Sequence, residues 1–370
     1  MMEELCDSNT KIIKVSPDGA VDSVLYSSLF ENIEYIPLET TDSSLIGNID
    51  KLIVAENSLV IVDKSITKAI YCVDKKGKFK FKISELGIGP DEYVDINDVD
   101  FDEAKQEFLI YSTATNKIVF YGTNGQFLCA RKVPHKGLAL AKTNVGSFVL
   151  YSSYLPQANK DDGETPNILI CDDEKVIEES FLFDNRITTS VTWTSFPWFS
   201  RFNDTLAIKP DHNNIVFHIC KNEIKPAYMF DFGKYNINSD YWEVATSKGM
   251  TSKRMNEYVN ESGVCESVRF LESCDYVYVE YYHRNRTYHI LYSKKTGKVL
   301  NFRKAINDIN YLSSFNPIAI ENDKLYGLIS PSILARISSD KIRKLLFGSE
   351  IGEVEFSDNP ILIVFKLKQF

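Results

Sequence analysis

Four of the five histidines of this chain fall into two pairs with the same spacing. His212 and His218 are six residues apart, and so are His283 and His289. Imidazole nitrogens bind zinc and carry protons near neutral pH, so this pattern could hold a metal ion. Each pair, however, brackets a polar turn between two strand-like segments in mid-sheet, and a repeated unit naturally repeats its residues. We therefore predict no metal site at these histidines.

A run of carboxylates gives a second candidate for metal binding: Asp91, Glu92, Asp95, Asp98, Asp100 and Asp102. A calcium-binding EF-hand loop needs glycine at its sixth position and glutamate at its twelfth. Counted from Asp95, the sixth residue is Asp100, so the pattern fails. Alternation along a strand would also send these side chains to opposite faces. The run is therefore predicted to be structural.

The common catalytic motifs are absent from the sequence. It contains no GxSxG, HExxH or Walker sequence and no dinucleotide-binding glycine loop in a βαβ context. Gly87 and Gly89 precede another strand rather than a helix, so no helix dipole would support a phosphate there. The sequence therefore assigns neither a catalytic residue nor a cofactor.

A repeated sequence unit predicts the elements that position the other candidate side chains. Residues 68–79 (KAIYCVDKKGKF) return as residues 117–127 (KIVFYGTNGQF), and Gly77 lies 48 residues before Gly125. Both copies contain short segments of β-branched and aromatic residues joined by polar or glycine turns, which predicts strands and hairpins. A preceding apolar segment completes four antiparallel strands per copy. This period with four strands is typical of a β-propeller blade.

Looser copies continue along the chain and bring the predicted number of blades to six. The sixth copy has only three strands after residue 317, and residues 32–38 are predicted to supply its fourth. Such a strand closes the ring and leaves no long free sheet edge. We predict an irregular N-terminal segment over residues 1–30 and a single all-β propeller domain over residues 31–370, with short helical insertions.

Long insertions are predicted at four places, namely residues 152–166, 184–197, 233–263 and 331–359. In an antiparallel four-stranded blade, the connection between strands 2 and 3 and the connection to the next blade lie at the same end. All four insertions belong to these two kinds of connection. Loops are elaborated where function is added to a rigid scaffold. We therefore predict that a ligand or partner binds at this end, over the central channel.

Seven residues are predicted to take part in that binding: Lys51, Asp98, Tyr154, Trp193, Trp198, Arg201 and Arg269. The aromatic residues would stack on a sugar or an apolar ligand, or would instead fill the gap between the third and fourth blades. The charged residues fall on or beside predicted innermost strands, where an unpaired charge is costly. They would contact a ligand, or would instead pair with one another.

Three stretches resemble a known family: IPLETTDSSLIGNIDKL at residues 36–52, GIGPDEY at residues 87–93 and SDNPILIVFKLK at residues 357–368. Residues 86–128 are also similar to an NHL-type propeller repeat. From Asn32 onward the chain resembles the bacterial six-bladed β-propeller family, whose members are often exported or lipid-anchored. The resemblance implies the fold and export, but it assigns no biochemical role.

Composition restricts the partners and the location. The net charge of −9 and the scattered lysines are unlike the basic stripe of a nucleic-acid binder, and no apolar run is long enough to span a membrane. The N-terminus has no signal-peptide pattern, so the protein is cytosolic or its signal has been removed. Cys6, within LCDSN, looks like the lipidated cysteine of a processed lipoprotein or belongs to an ordinary disordered terminus. We predict a location in the periplasm or at the cell surface, as the resemblance implies.

These observations favour a binding function. We predict a non-catalytic propeller, associated with the cell envelope, that binds a protein or glycan on the face with the long loops. The alternative is a metal-dependent propeller hydrolase or lyase with its site at the channel mouth.

Overall fold

The strands of this protein form six sheets, which are the six antiparallel blades of a β-propeller, as the repeat predicted. The computed structural model describes residues 9–133, 135–153, 164–172, 175–184, 197–309, 315–334, 355 and 357–370. The chain divides into two compact units. Unit 1 comprises Met1–Asp22, Asn116–Ile118 and Arg131–Lys304, and unit 2 comprises Ser23–Thr115, Val119–Ala130 and Ala305–Phe370. The single-domain boundary at residue 31 stays a prediction.

Each of the first three blades has four strands. Blade 1 contains β4 (Lys51–Val54), β5 (Leu59–Asp63), β6 (Ala69–Val73) and β7 (Phe79–Ile83). Blade 2 contains β8 (Asp98–Asp102), β9 (Glu107–Ser112), β10 (Lys117–Gly122) and β11 (Phe127–Lys132). Blade 3 contains β12 (Ala139–Lys142), β13 (Phe148–Tyr151), β14 (Glu164–Cys171) and β15 (Val176–Asp184).

Strands from residues 11–37 join the other three blades. Blade 4 contains β16 (Phe199–Phe202), β17 (Thr205–Ile208), β18 (Ile215–Cys220) and β19 (Glu223–Asp231), with β1 (Lys11–Lys14) as a fifth strand. Blade 5 contains β20 (Glu266–Glu272), β21 (Tyr276–His283), β22 (Arg286–Ser293) and β23 (Val299–Ile306), with β2 (Val21–Leu25) as a fifth. Blade 6 contains β24 (Ala319–Glu321), β25 (Lys324–Ile329), β26 (Ile361–Leu367) and β3 (Phe30–Pro37).

The N-terminal segment contains more regular structure than the sequence led us to expect. β1 pairs in parallel with β19, from Lys11 opposite Tyr228 to Lys14 opposite Asp231, and the helical turn α1 (Tyr26–Leu29) follows β2. An irregular segment over residues 1–30 does not account for these elements. Their sequences, KIIK and VDSVL, are short and lack clean alternation, and a parallel edge strand has no hairpin turn to reveal it.

The predicted closing strand is confirmed. β3 pairs antiparallel with β26 from Pro37 opposite Ile361 to Phe30 opposite Leu367. The chain then enters blade 1, where Glu39 N donates to the carbonyl of Gly77 at 2.9 Å. An added Cβ at Gly77 would stand 2.1 Å from the Pro37 carbonyl oxygen. Glycine is therefore required at this turn for the close approach as well as for its positive φ of 85°.

Strand alternation distributes the core between the two faces of a blade. All five residues of β5 are buried. Leu59 and Ile61 belong to one apolar cluster, whereas Val60 and Val62 belong to another. Because successive side chains point to opposite faces of a strand, a continuous apolar run is needed when both faces are covered. This is why the middle strands of the repeat are so readily recognised in the sequence.

The connections differ at the two ends of each blade. At one end they are turns, such as residues 55–58, 74–78 and 294–298. The other end, which we call the loop-bearing end, receives the connections between strands 2 and 3 and between blades. Residues 232–265 contain α2 (Ser239–Ala245) and α3 (Ser252–Ser262). The sequence predicted short helical insertions, and two helices are present in this connection.

Other parts of the predicted insertions lie outside the described residues, namely 154–163, 185–196 and 335–354. The described part of the last insertion begins with the helical turn α4 (Pro331–Leu334). No helix in the part of the chain that the structure describes is both long and apolar enough to cross a membrane.

Candidate functional site

Two of the predicted binding residues form an ion pair in unit 2. Lys51 Nζ lies 2.6 Å from Asp98 Oδ1 and donates to the Val99 carbonyl at 2.7 Å. The side chains of Lys51 and Asp98 are 10% and 1% exposed. Burial lowers the pKa of the neighbouring Lys64, and the charges of Asp98 and Asp50 oppose this shift. Mutual pairing was one of the two alternatives that the sequence left open, and a ligand contact stays a prediction.

The predicted aromatic and arginine residues have separate surroundings. Trp198 is 5% exposed and belongs to an apolar cluster, with its ring 6.3 Å from that of Tyr151. This is the packing position that the sequence offered as the alternative to ligand stacking. Arg201 donates to the Lys142 carbonyl at 2.7 Å, and Arg269 lies 3.8 Å from Glu280. Tyr154 and Trp193 lie outside the described residues.

A buried set of polar side chains in unit 1 is the most elaborate site in the described residues, and we call it the His212 cluster: Lys209, Asp211, His212, Tyr241 and Glu266. His212 Nδ1 lies 2.5 Å from both Glu266 Oε1 and the Tyr241 hydroxyl. Tyr241 also donates to Glu266 Oε1 at 2.9 Å. Tyr241, His212 and Glu266 are 0%, 2% and 3% exposed. Hydrogen bonds to a carboxylate that is shielded from water are stronger than hydrogen bonds between neutral groups in water.

The other side of the cluster binds blade 3. Asp211 N donates to the Tyr151 hydroxyl at 2.7 Å, and Ser153 Oγ donates to the Asp211 carboxylate. Lys209 Nζ donates to the carbonyls of Pro210 and Asn213 at 3.0 and 3.1 Å. Burial lowers the pKa of Lys209, and the nearby charges of Asp211 and Glu266 oppose this shift.

Three elements bring the cluster together at the loop-bearing end. Lys209, Asp211 and His212 lie in the connection between β17 and β18, and His212 has a φ of 52° in the left-handed region. Tyr241 lies on α2, whose first turn is capped by the Asn238 side chain. Glu266 is the first residue of β20. The cluster therefore fastens the helical insertion to the ends of two blades.

Sequence reasoning found only one member of this cluster. The spacing of His212 drew attention to it, but its partners Tyr241 and Glu266 lie 29 and 54 residues further along the chain. No local pattern links residues so far apart. A chemical signal was nevertheless present, because Glu266 opens a strand that carries the apolar residues Val268, Phe270 and Leu271, and a buried carboxylate needs hydrogen-bond donors.

The four histidines of the two sequence pairs have separate partners. His218 Nε2 lies 3.0 Å from Glu272 Oε2, which belongs to a carboxylate that also pairs with Lys294 at 2.6 Å. His283 Nδ1 lies 2.8 Å from the Gly263 carbonyl. His289 Nδ1 lies 2.9 Å from the Tyr278 hydroxyl. Across the described ranges, no group of three or more His, Cys, Asp or Glu side chains is arranged to hold a metal ion.

The fold defines this protein as a six-bladed β-propeller, and sequence comparison places it in a family. Residues 10–366 match the family described as a domain of unknown function, DUF4934, and the chain belongs to that family. No curated protein matches the chain in sequence.

Solved structures are similar over most of the chain. One is named "Putative exported protein" from Bacteroides fragilis NCTC 9343, with a TM-score of 0.73 and 20% identity over 97% of this chain and 99% of that one. A DUF4221 family member from Bacteroides vulgatus has a TM-score of 0.49 and 12% identity over 92% and 97% of the two chains. Virginiamycin B lyase from Staphylococcus aureus has a TM-score of 0.41 and 12% identity over 80% and 81%. At these identities the likeness concerns the fold.

Proposed function

We propose that this protein is an exported, non-catalytic binding protein of the cell envelope whose partner protein or glycan contacts the loop-bearing end of the blades. One observation carries the proposal: connections at this end extend to a helical insertion over residues 232–265, whereas those at the opposite end are short turns. A rigid sheet with long connections at one end is the usual arrangement of a binding scaffold.

The His212 cluster supports this proposal because it orders the insertion before any partner arrives. Tyr241 is fully buried and joins α2 to His212 and Glu266. A surface that is already ordered loses less conformational entropy on binding than a flexible one. The exposed side chains of α3, including Lys253 and Arg254, are then presented in fixed positions.

The residues predicted from sequence remain part of the proposal. Lys51 and Asp98 are the first residues of their strands, so both stand at the loop-bearing end. Tyr154 and Trp193 belong to the sequence segments 152–166 and 184–197, which were predicted as insertions. We propose that these residues, with Trp198, Arg201 and Arg269, contribute to ligand binding or to the packing beneath it.

Export is supported by the family resemblance and by the name of the Bacteroides fragilis neighbour. We propose that the mature protein is attached to the envelope by a lipid on Cys6. Metabolic labelling with a palmitate analogue tests this attachment: the native protein should incorporate the label, and the C6S variant should not.

The binding face can be tested by reversing charge at one end of the molecule only. In the Lys253→Glu/Arg254→Glu variant, two exposed cations of α3 become anions. The change suits the first turn of a helix, where negative charge is favoured, so the fold should persist. Both proteins are immobilised and exposed to solubilised cell-envelope material. We expect the variant to bind at least tenfold less of this material than the native protein binds.

The matched control is Lys295→Glu/Lys298→Glu, which makes the same charge change in an exposed turn at the opposite end of blade 5. It should bind as the native protein does. Equal loss in both variants, or in neither, contradicts the proposed face. Stoichiometric zinc or calcium in protein purified without chelator would instead favour the metal-dependent hydrolase or lyase.

A further inference from the structure

Four large apolar side chains in unit 2 are exposed on three adjoining connections of the loop-bearing end, and we call them the apolar patch: Leu45, Ile66, Leu86 and Ile88. Their exposed fractions are 52%, 65%, 47% and 89%. Single exposed apolar residues are ordinary, but a group of them on neighbouring loops is typical of a binding surface.

Hydrogen bonds hold the first two connections together. Tyr71 OH donates to the Leu45 carbonyl at 2.6 Å and lies 3.1 Å from Thr67 Oγ1. The Asp63 carboxylate accepts from Gly47 N at 2.8 Å and from Ile66 N at 2.9 Å. A Cβ on Gly47 would stand 2.5 Å from Ile66 Cγ2, so the Ile66 side chain lies directly against this backbone.

The third connection is tied to the second by Tyr93. Its buried hydroxyl donates to the Lys68 carbonyl at 2.9 Å, next to the segment that carries Ile66. Gly87 N donates to the Tyr93 carbonyl at 3.0 Å, and Gly89 N donates to Glu92 Oε2 at 2.7 Å. Ile88 lies between these two anchored glycines. The patch is therefore formed before a partner binds, and little ordering entropy opposes docking.

The exposed charges beside the patch are mostly acidic. Asp42, Glu85 and Asp91 are exposed on the same connections, whereas Lys68 is the one exposed cation among residues 40–50, 64–68 and 84–97. The other lysine of these connections, Lys64, is half-buried beside Asp98 and Asp50. A complementary surface would therefore be apolar and positively charged.

We propose that the apolar patch docks a segment of a partner protein in which apolar side chains are flanked by lysine or arginine. The proposal rests on the proposed function, because it names the chemistry of a partner at the loop-bearing end. A bilayer is the less suitable occupant, since anionic lipid headgroups would be repelled by the acidic residues around the patch.

A synthetic peptide tests the proposal without knowledge of the natural partner. The probe is a fluorescent peptide of alternating lysine and leucine, and its binding is measured by anisotropy. The native protein should bind it, and higher salt should weaken the complex. The Ile66→Ser/Ile88→Ser variant should bind at least tenfold more weakly. The control Val145→Ser alters a residue that is 53% exposed in the turn between β12 and β13, and it should leave binding unchanged.

Several outcomes would overturn the proposal. One is that the Ile66→Ser/Ile88→Ser variant binds the lysine–leucine peptide as tightly as the native protein does. Another is that the native protein binds a glutamate–leucine peptide as tightly as the lysine–leucine peptide. Binding to anionic vesicles without binding to the peptide would assign the patch to lipid. A tenfold gain in peptide affinity when residues 335–354 are replaced by a Gly-Ser linker would assign it to this chain's own basic segment, which includes Lys341, Arg343 and Lys344.

The two proposals can fail separately. If the α3 charge reversal abolishes envelope binding while the peptide binds native protein and the patch variant equally, the proposed function stands and the apolar docking segment does not. If the patch variant loses the peptide while α3 reversal leaves envelope binding intact, the docking surface stands and the proposed role of α3 does not.

Discussion

At the residue scale, buried polar groups in this protein are matched to specific partners in other elements. The Glu266 carboxylate lies in contact with His212 and Tyr241, and the Asp98 carboxylate with Lys51. Removing one partner from such a contact leaves a buried group unsatisfied, which costs more than the net value of the contact. The effect on the free energy of unfolding can be measured with variants that remove a single hydroxyl or a single imidazole.

The Tyr241 hydroxyl is expected to stabilise the fold through the His212 cluster. Tyr241→Phe removes a donor to Glu266 and a contact to His212, and we expect it to lower the free energy of unfolding by about 1–3 kcal/mol. Urea denaturation measures the change. Tyr258→Phe, a half-buried position on α3, is the control and should change stability by less than about 0.5 kcal/mol. Equal effects at both positions would contradict the role of the cluster.

His289 is expected to make stability depend on pH. Burial, with a smaller contribution from Arg269, lowers the pKa of His289 from 6.5 to about 4. The unfolded chain therefore takes up the proton first as pH falls, so the stabilisation is complete above pH 6.5 and is lost toward pH 4. The full effect is at most about 3 kcal/mol. Tyr278, Glu280 and Arg269 are the polar groups around this imidazole.

Urea denaturation of His289→Asn between pH 7 and pH 4 tests this dependence. The variant should be less stable than the native protein at pH 7, and its free energy of unfolding should fall less steeply as the pH is lowered. The control is His135→Asn, at a half-buried position before β12. Its free energy of unfolding should depend on pH as that of the native protein does. If the free energy of unfolding of His289→Asn falls with pH as steeply as that of the native protein, another group causes the pH dependence.

At the scale of elements, the turn between strands 3 and 4 recurs with different surroundings. Gly77 and Gly297 have φ angles of 85° and 72°, so both adopt the left-handed conformation. At Gly77 a Cβ would stand 2.1 Å from the Pro37 carbonyl oxygen, whereas at Gly297 nothing lies within 4 Å. In blade 1 this turn therefore also contacts Pro37, the last residue of the closing strand β3.

This difference provides a matched pair of substitutions. Gly297→Ala should lower the free energy of unfolding by about 1–2 kcal/mol, the cost of a left-handed alanine. Gly77→Ala should cost at least about 2 kcal/mol more, because the Pro37 carbonyl must also move. Thermal and urea unfolding of the two variants measure the difference. Equal losses would mean that the approach of β3 to the turn contributes nothing.

At the scale of the whole molecule, the first and last strands of the propeller depend on each other. β26 lies between β25 and β3 and pairs with both along its length. Removing it leaves β3 without a partner strand and exposes apolar residues that include Leu362 and Phe365, both almost fully buried. Closure of a ring by terminal strands makes its stability cooperative.

Deletion of residues 361–370 should therefore abolish cooperative thermal unfolding near the native midpoint. Deletion of residues 1–15 is the control, since it removes only β1 from the edge of blade 4, and it should lower the midpoint while keeping a cooperative transition. Calorimetry distinguishes the two results. A native midpoint after the C-terminal deletion would contradict the assigned role of β26.

The sequence alone determined the repeat, the six blades, the closing strand and the uneven connections. The repeat and its strands depend on residues close together in the chain: β-branched runs such as residues 59–63, turn glycines such as Gly77, and a strand period of two. The closing strand was predicted from the count, because the last copy of the repeat lacks one strand. β12, with the sequence ALAK, went unrecognised because alanine and lysine carry little strand preference.

Only the tertiary structure decided what the polar residues do. His212 contacts Tyr241 and Glu266, and Lys51 contacts Asp98. The segment that carries Ile66 contacts the loop of Leu45 through Gly47 and the loop of Ile88 through Tyr93. These contacts join residues from different blades or connections. Lys51 can pair with Asp98 only because their strands, β4 and β8, are close together in the folded protein. Short-range patterns identify a strand, but the partners of its side chains are determined by the folded arrangement of the sheets.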